Sequence, residues 1–254
     1  MDKSAIPLTA FVTGASYGVG AATALALARA GFAVAVSARR AENLVQTMAT
    51  LEAADARAVP LVLDLNSQSS IERAMADVIA AFGRLDLLVN NAGGNLRKLA
   101  VDVAPADWDA VMATNLRGAF FLAQQMGRHL IANGRPGTIV NIASTHGFVG
   151  AAERSVYGIS KGALIQMTRM LAIEWAAHGI QVNAVAPGRL DTPSPSRAAR
   201  TGDPAYMDAM RARIPLNRLA TVEEVADAVC YLASPQAASI TGQTLVIDGG
   251  VTVA

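Results

Sequence analysis

A tyrosine and a lysine stand four residues apart in the segment SVYGISKGAL, residues 155–164. If this segment is helical, Tyr157 and Lys161 lie on one helical face, one turn apart. Such a pair is either an ordinary surface contact or a phenol whose pKa is lowered by the neighbouring cation. A free tyrosine has a pKa of about 10, so only a lowered value gives an efficient acid or base near neutral pH.

A glycine-rich segment, TGASYGVG at 13–20, joins an apolar run to a helical stretch. Gly14, Gly18 and Gly20 permit a tight turn and a close approach of backbone N–H groups to a phosphate, and the helix N-terminus adds partial positive charge. The spacing differs from the common G-x-G-x-x-G fingerprint, and a simple packing turn is the alternative interpretation. The position between the first strand and the first helix favours a nucleotide site.

The second apolar run ends in SARRAEN, where a dinucleotide-binding protein contacts the adenosine ribose. A carboxylate at this place suits NAD, whereas an arginine suits the 2′-phosphate of NADP. The chain has Arg39 and Arg40 there and no acid before Glu42. This pattern favours NADP, with NAD as the second option, although two solvated arginines capping a loop would look the same.

Short apolar runs alternate with helical stretches along the whole chain. The strand candidates are 8–13, 32–38, 58–64, 85–90, 137–143, 180–186 and 244–248. The helical candidates lie near 18–30, 41–54, 68–82, 105–132, 155–178 and 221–233. The alternation predicts an α/β fold, a Rossmann-like doubly wound sheet of about seven parallel strands with helices on both faces.

No linker, repeat or low-complexity segment divides the chain, so we expect one dinucleotide-binding and catalytic domain over residues 1–254. Only the proline-rich segment at about 188–218 interrupts the alternation. It follows the sixth strand, at the edge where doubly wound sheets bind ligands. We therefore predict a substrate-loop insertion there.

Composition narrows the class of protein. The net charge of +1 gives no electrostatic reason to expect nucleic acid or an anionic membrane as partner. Residues 8–28 carry no charge, but glycines and polar residues interrupt them, so they do not predict a membrane span. The N-terminus lacks a signal-peptide pattern and Cys230 is the single cysteine, which predicts a cytoplasmic enzyme or binding protein. No metal site is predicted.

An ordered set of motifs resembles the short-chain dehydrogenase/reductase family of the compact type, over essentially the whole chain. The motifs are TGASYGVG (13–20), Asp64-Leu65, NNAG (90–93), Asn115 in TNLRG, Ser144 in NIAST, YGISK (157–161), PGRLDT (187–192) and DGG (248–250). Within that family, the chain resembles 3-oxoacyl-carrier-protein reductases and gluconate 5-dehydrogenase-like members.

The resemblance implies interconversion of a ketone and a secondary alcohol, with hydride exchanged with a nicotinamide cofactor. It implies that Tyr157 is the acid/base, that Ser144 orients the substrate oxygen and that Lys161 assists Tyr157. Asn115 would hold the water and the helix geometry of a proton relay. Physical chemistry agrees with these roles, because hydride transfer at an alcohol carbon also requires the hydroxyl proton to move.

The resemblance also implies a set of cofactor contacts. They are Gly14, Ser16, Tyr17, Gly18, Val19 and Gly20 in the turn, Arg39 and Arg40 at the ribose, Asp64 and Leu65 at the adenine, Asn91, Ala92 and Gly93 on the adenosine side, Tyr157 and Lys161, and Pro187, Gly188, Leu190 and Thr192 at the nicotinamide. The family's usual basic residue for NADP within the turn is absent, since Tyr17 occupies that position.

Substrate contacts are predicted from the flanking loops: Asn95, Arg97, Ser144, His146 and Arg154. Inward-pointing arginines would suit an acidic substrate such as a keto-sugar acid, and solvated loop charges are the alternative. His146 either contacts substrate or satisfies a loop carbonyl. Both a 3-oxoacyl thioester and a sugar, polyol or other small ketone remain open as the small-molecule substrate.

A catalytically idle NADP-binding sensor or scaffold is the alternative function of a different class. Such a protein is expected to lose Ser144, Tyr157 or Lys161, and all three are present here. For assembly, the helical stretches 105–132 and 155–178 carry apolar residues on more than one face. The family usually pairs these helices between subunits, so the resemblance implies a homotetramer.

Overall fold

Seven parallel strands form one sheet in the part of the chain that the computed structural model describes, residues 7–190 and 204–254. They are β1 (Thr9–Val12), β2 (Ala33–Ala38), β3 (Ala58–Val62), β4 (Leu87–Asn90), β5 (Gly137–Ile142), β6 (Ile180–Pro187) and β7 (Thr244–Ile247), in the spatial order β3-β2-β1-β4-β5-β6-β7. The predicted seven-stranded, doubly wound architecture is confirmed. The order reverses between β1 and β4, where such sheets open a crevice for ligands.

The helices follow the predicted alternation. They are α1 (Gly18–Arg29), α2 (Val45–Ala53), α3 (Gln68–Phe82), α4 (Pro105–Met112), α5 (Ala119–Ala132), α6 (Ser155–Trp175), α7 (Pro204–Arg211) and α8 (Val222–Leu232). Within the described ranges, none has both the length and the apolar character needed to cross a bilayer.

The structure differs from the predicted helices in three places. A 3-10 turn, Ala41–Leu44, precedes α2, and α7 is a helix inside the segment that is predicted as a substrate-loop insertion. The stretch 105–132 is not one uniform α-helix, because a π-helical turn, Ala113–Gly118, separates α4 from α5. Single π-turns inside α-helices are frequently found at functional sites, and this one contains Asn115.

Both faces of the sheet are covered, which explains why the strands are almost wholly apolar. Alternation along β1 sends Phe11 to one face, into a core with α3, α5 and α6, and Val12 to the other, into a core with α1, α2 and α8. Burial of both faces leaves polar side chains mainly at the strand ends. The carboxyl ends of all seven strands lie at one edge, and most of the predicted cofactor residues directly follow these ends.

The C-terminal end of the predicted substrate segment is anchored to the fold. Leu190 forms a parallel bridge with Ala220, which brings the two ends of the segment together. At the start of α8, Thr221 and Glu224 form a capping box, and Arg218 pairs with the Glu224 carboxylate at 2.6 Å. The hydrogen bonds from Arg218, aided by that of the Thr221 backbone N–H, lower the pKa of Glu224 to about 2.

Candidate active site

The glycine turn after β1 leaves no room for a side chain at Gly14 or Gly20. Gly14 and Gly18 have φ values of +63° and +60°, which favour glycine. A Cβ on Gly20 would lie 2.4 Å from the Gly14 carbonyl oxygen and 2.5 Å from Asn91 Nδ2. The turn therefore forms a tight backbone cradle at the N-terminus of α1, as a phosphate site requires.

Asn91 holds this turn in place. Its Nδ2 donates to the carbonyl oxygens of Thr13, at 2.8 Å, and Gly14, at 2.9 Å. The buried Thr13 hydroxyl in turn accepts from the backbone N–H groups of Asn91 and Ala92, both at 3.0 Å. The Asn91 side chain thus fixes the cradle. Sequence reasoning missed Thr13, whose only signal is a hydroxyl at the end of an apolar strand.

The remaining predicted cofactor residues surround the cradle. Arg39 and Arg40 are exposed directly after β2, and Tyr17 is 60% exposed at the start of α1. Ser16, Val19 and Ala92 are half-buried, Gly93 and Asp64 are exposed, and Leu65 is buried. Leu65 is pressed against the π-turn, where a Cβ on Gly118 would lie 2.5 Å from the Leu65 Cβ.

Asn115 connects the loop after β4 to the first turn of α6. The side chain is 1% exposed, its Oδ1 accepts from the Gly94 N–H at 2.6 Å, and its Nδ2 donates to the Gly94 carbonyl at 2.9 Å. The second Nδ2 proton goes to Ser160 Oγ at 3.0 Å, and Ser160 Oγ donates to the Tyr157 carbonyl at 2.7 Å. This network links the π-turn to the backbone of Tyr157. Gly94 and Ser160 were not foreseen from sequence.

Lys161 is a buried cation beneath Tyr157. It is 5% exposed, and its Nζ donates to the Ile142 carbonyl at 2.7 Å and lies 5.9 Å from the centre of the Tyr157 ring. Among the described residues, no carboxylate pairs with it. Burial lowers the pKa of Lys161 to about 8. The four-residue spacing therefore does place the two side chains together, in a dry rather than a solvated setting.

Ser144 and His146 lie beside the same tyrosine. Ser144 is buried at the end of β5, and its Oγ accepts from the backbone N–H of His146 at 3.2 Å. The His146 ring stands edge-on to the Tyr157 ring, with 6.1 Å between the ring centres. Burial first, then the charges of Arg154 and Arg189, lower the pKa of His146.

The two candidate substrate arginines have partners within the protein. Arg97 pairs with the Glu153 carboxylate, and Arg154 donates to Asn95 Oδ1. The Lys98 backbone N–H also donates to the Glu153 carbonyl, at 3.0 Å. These contacts join the loop after β4 to the loop before α6, a role that neither sequence interpretation of the arginines included. Glu153 itself has a φ of +63°, an uncommon conformation for a non-glycine residue.

The end of β6 approaches the site from the other side. Gly188 N–H donates to the Ile247 carbonyl at 2.8 Å, and a Cβ on Gly188 would lie 2.7 Å from the Asp248 Cβ. Pro187 is buried and Leu190 half-buried. The predicted contact Thr192 lies outside the described residues, as does the rest of 191–203.

These elements bring together a phenol, a buried ammonium group, a serine hydroxyl and a backbone cradle. The combination suits proton transfer to or from a substrate oxygen next to a phosphate-bearing cofactor. Within the described residues, no group of three or more His, Cys, Asp or Glu side chains is arranged to hold a metal ion.

Comparison with known proteins identifies relatives along nearly the whole chain. Residues 14–252 match a family model described as enoyl-(acyl carrier protein) reductase. A gluconate 5-dehydrogenase of Gluconobacter oxydans is 36% identical over 244 residues, which cover 96% of this chain and 94% of that protein. A 3-oxoacyl-[acyl-carrier-protein] reductase of Thermotoga maritima is 37% identical over 246 residues, which cover 95% and 96%.

A solved structure shows the same architecture with a cofactor bound. It is the crystal structure of a gluconate 5-dehydrogenase from Burkholderia cenocepacia in complex with NADP and tartrate. Its TM-score is 0.90 at 34% sequence identity, and the match covers 97% of this chain and 96% of that one.

Proposed function

Since this chain belongs to the short-chain dehydrogenase/reductase family of oxidoreductases, we propose that it reduces a ketone to a secondary alcohol with NADPH. The observation that carries this proposal is the buried Lys161 ammonium group beneath the Tyr157 ring, beside Ser144 and the glycine cradle. In an ordinary surface pair the lysine ammonium group would stay in water, because burying it costs free energy.

We assign the proton transfer to Tyr157. Its phenol donates a proton to the substrate oxygen as that oxygen gains negative charge, and the phenolate left behind faces the Lys161 ammonium group. Ser144 donates a hydrogen bond to the same oxygen, which stabilises the developing charge. The bound cofactor supplies the hydride.

Asn115 has a positioning role in this proposal. Its hydrogen bonds to Gly94 and Ser160 hold the loop after β4 and the first turn of α6 at a fixed separation. Because Ser160 Oγ also bonds to the Tyr157 carbonyl, the network sets where the phenol stands. Preorganised donors of this kind lower the barrier because they need no rearrangement during the reaction.

NADP is the cofactor that the chain is best equipped to hold. The glycine cradle fits a pyrophosphate, and the exposed Arg39 and Arg40 stand at the end of β2, where a 2′-phosphate would lie. No carboxylate stands at this position before Glu42. The related gluconate 5-dehydrogenase crystallised with NADP supports the same choice.

Substitution of Arg39 with Ala is expected to raise KM for NADPH by about 10- to 100-fold, because one charge-assisted hydrogen bond contributes about 1.5–3 kcal/mol. KM for NADH should stay nearly constant, since that cofactor has no 2′-phosphate. Steady-state kinetics with both cofactors measures the ratio. Arg29→Ala, at the far end of α1, is the control. An unchanged NADPH/NADH ratio in the double variant Arg39→Ala/Arg40→Ala would contradict the assignment.

We propose that residues 1–254 work as one domain in which the segment at about 188–218 covers the substrate. The Leu190–Ala220 bridge supports this, because it ties both ends of the segment to the edge that carries Ser144 and Tyr157. For the substrate itself we propose a small keto or sugar-type ketone or a 3-oxoacyl compound. The names of the two curated relatives correspond to these two classes.

The direct test is cofactor consumption with NADPH and NADH across keto acids, ketoses, simple ketones and 3-oxoacyl thioesters. We expect NADPH oxidation with one of these classes, and the reverse reaction with the matching alcohol. An idle NADP-binding sensor or scaffold would bind NADPH but turn over none of them. That result would contradict the proposed function.

We also propose a homotetramer. Apolar side chains stay exposed on α5 and α6, among them Phe120, Ile131, Met170 and the 77%-exposed Ile173. Light scattering is expected to give a mass four times that of the 26.3 kDa chain. Ile173→Asp should lower this mass, whereas Val101→Asp, in an exposed 3-10 turn, should not. A monomeric wild type would contradict the proposal.

A further inference from the structure

The two ring nitrogens of His146 have different surroundings. Nδ1 is buried and has no hydrogen-bond partner in the described part of the chain. Nε2 has no hydrogen bond to a described residue either, but it is not buried. It is therefore accessible to solvent. The ring therefore satisfies no loop carbonyl, which removes one of the two sequence interpretations.

This asymmetry defines the form of the ring. An N–H group at the buried Nδ1 would lack a partner, at a cost of about 1–3 kcal/mol. A proton on the accessible Nε2 can bond to water or to a ligand. The doubly protonated ring would bury an unpartnered N–H and also face the cations Arg154 and Arg189. His146 is thus a neutral ring that presents an Nε2–H donor.

The position of this donor relates it to the reacting oxygen. The backbone N–H of His146 donates to Ser144 Oγ, so the Ser144 hydroxyl proton is left to point elsewhere. The ring itself stands edge-on to Tyr157. In the proposed mechanism Ser144 and Tyr157 both bond to the ketone oxygen. His146 lies only two residues after Ser144, and its Nε2–H is not needed at the ketone oxygen. This donor is therefore available for a neighbouring oxygen of the same substrate.

We propose that His146 determines specificity by donating its Nε2–H to a hydrogen-bond-accepting oxygen on the carbon next to the ketone. This inference rests on the proposed ketone reduction. It selects 2-hydroxyketones and 2-keto acids, which share this oxygen, over ketones that carry only hydrocarbon there. A site built around such a donor rejects the analogue that lacks the oxygen, because the donor then loses its partner.

Three matched substrates test the proposal: 1-hydroxy-2-butanone, 2-oxobutanoate and 3-pentanone, in which a methyl group replaces the oxygen. The wild type is expected to prefer at least one oxygenated substrate over 3-pentanone by about 10- to 100-fold in kcat/KM. His146→Phe should abolish that preference, because kcat/KM falls for the oxygenated substrate and rises for 3-pentanone, whose binding no longer leaves a donor without a partner. His146→Gln, whose amide N–H replaces the donor, should restore part of it. Whichever of the two oxygenated substrates the wild type prefers shows whether His146 recognises a hydroxyl or a carboxylate oxygen.

A merely structural role would lower kcat/KM for all three substrates together, and that result would overturn the proposal. Retention of the wild-type preference in His146→Phe would overturn it as well. If NADPH binds but no ketone is turned over, the proposed function fails instead. Calorimetric Kd values of 1,2-butanediol and 2-butanol for the enzyme–NADP⁺ complex then decide the inference. Equal effects of His146→Phe on both alcohols contradict it.

Discussion

Replacing Tyr157 with Phe is expected to lower kcat for ketone reduction by about 10²- to 10⁴-fold, the usual contribution of a positioned acid/base. Phe keeps the ring that packs against His146 and Lys161 but lacks the hydroxyl proton. The Kd for NADPH should stay close to that of the wild type, because the glycine cradle and Arg39 are untouched. Steady-state NADPH consumption and a fluorescence titration of NADPH measure the two quantities.

The matched control is Tyr231→Phe, an exposed tyrosine on α8. It removes the same hydroxyl away from the site and should leave kcat unchanged. A Tyr157→Phe protein that turns over ketone at the wild-type rate would show that another group supplies the proton. Loss of both activity and NADPH binding would instead indicate a structural defect.

Replacing Lys161 with Met is expected to change activity and stability in opposite directions. The activity should fall by about 10- to 10³-fold at pH 7, since a nearby cation lowers the pKa of a phenol by about 1–3 units. The cofactor-free protein should become more stable by about 1–3 kcal/mol, because Met fills a similar volume without burying an ammonium group. Such a gain is expected where function holds a charge in a dry site.

The stability difference should depend on pH. Burial lowers the pKa of Lys161 to about 8 in the folded protein, below the ordinary value of 10.5. Below about pH 8 both states are protonated, and the folded state bears the full cost of the buried charge. Between about pH 8 and 10.5 the unfolded chain binds the proton and the folded protein does not, so wild-type stability rises with pH relative to Lys161→Met.

Urea unfolding of the cofactor-free proteins at several pH values from 7 to 10.5 measures this effect. The control is Lys98→Met, because Lys98 lies at the surface and pairs with Asp107 at 2.6 Å. It should follow the wild-type pH dependence. Parallel stability curves for the wild type and Lys161→Met would mean that the lysine is not desolvated in solution.

Several parts of this protein were predictable because the signals are local. The strands are apolar runs, since a parallel sheet covered on both faces offers every strand position an apolar environment. The helical spacing of Tyr157 and Lys161 and the glycines of the turn are likewise properties of a few adjacent residues. Most boundaries shifted by one or two residues, but α2 begins four residues later than predicted and α6 ends three residues earlier, and the 188–218 segment contained a helix that its prolines obscured.

Contacts between distant segments were not predictable. The sequence presents the arginines at 97 and 154 as substrate or surface charges, and their pairing with Glu153 and Asn95 depends on two loops that meet only in the folded chain. The π-turn at Asn115 is similar, because its partners Gly94 and Ser160 come from two other elements. No pattern within residues 105–132 indicates it.

Sequence alone therefore determined the fold class and the family, and it indicated the residues to which we assign the reaction, because these follow from hydrophobic periodicity and from motifs of a few residues. Only the tertiary structure decided the state of those groups. Lys161 is desolvated because the core closes over it and, among the residues described, only the Ile142 carbonyl accepts from its ammonium group, and burial together with two nearby arginines lowers the pKa of His146. The burial of a side chain and the charges around it depend on residues that are far apart in the chain and come together only when it folds.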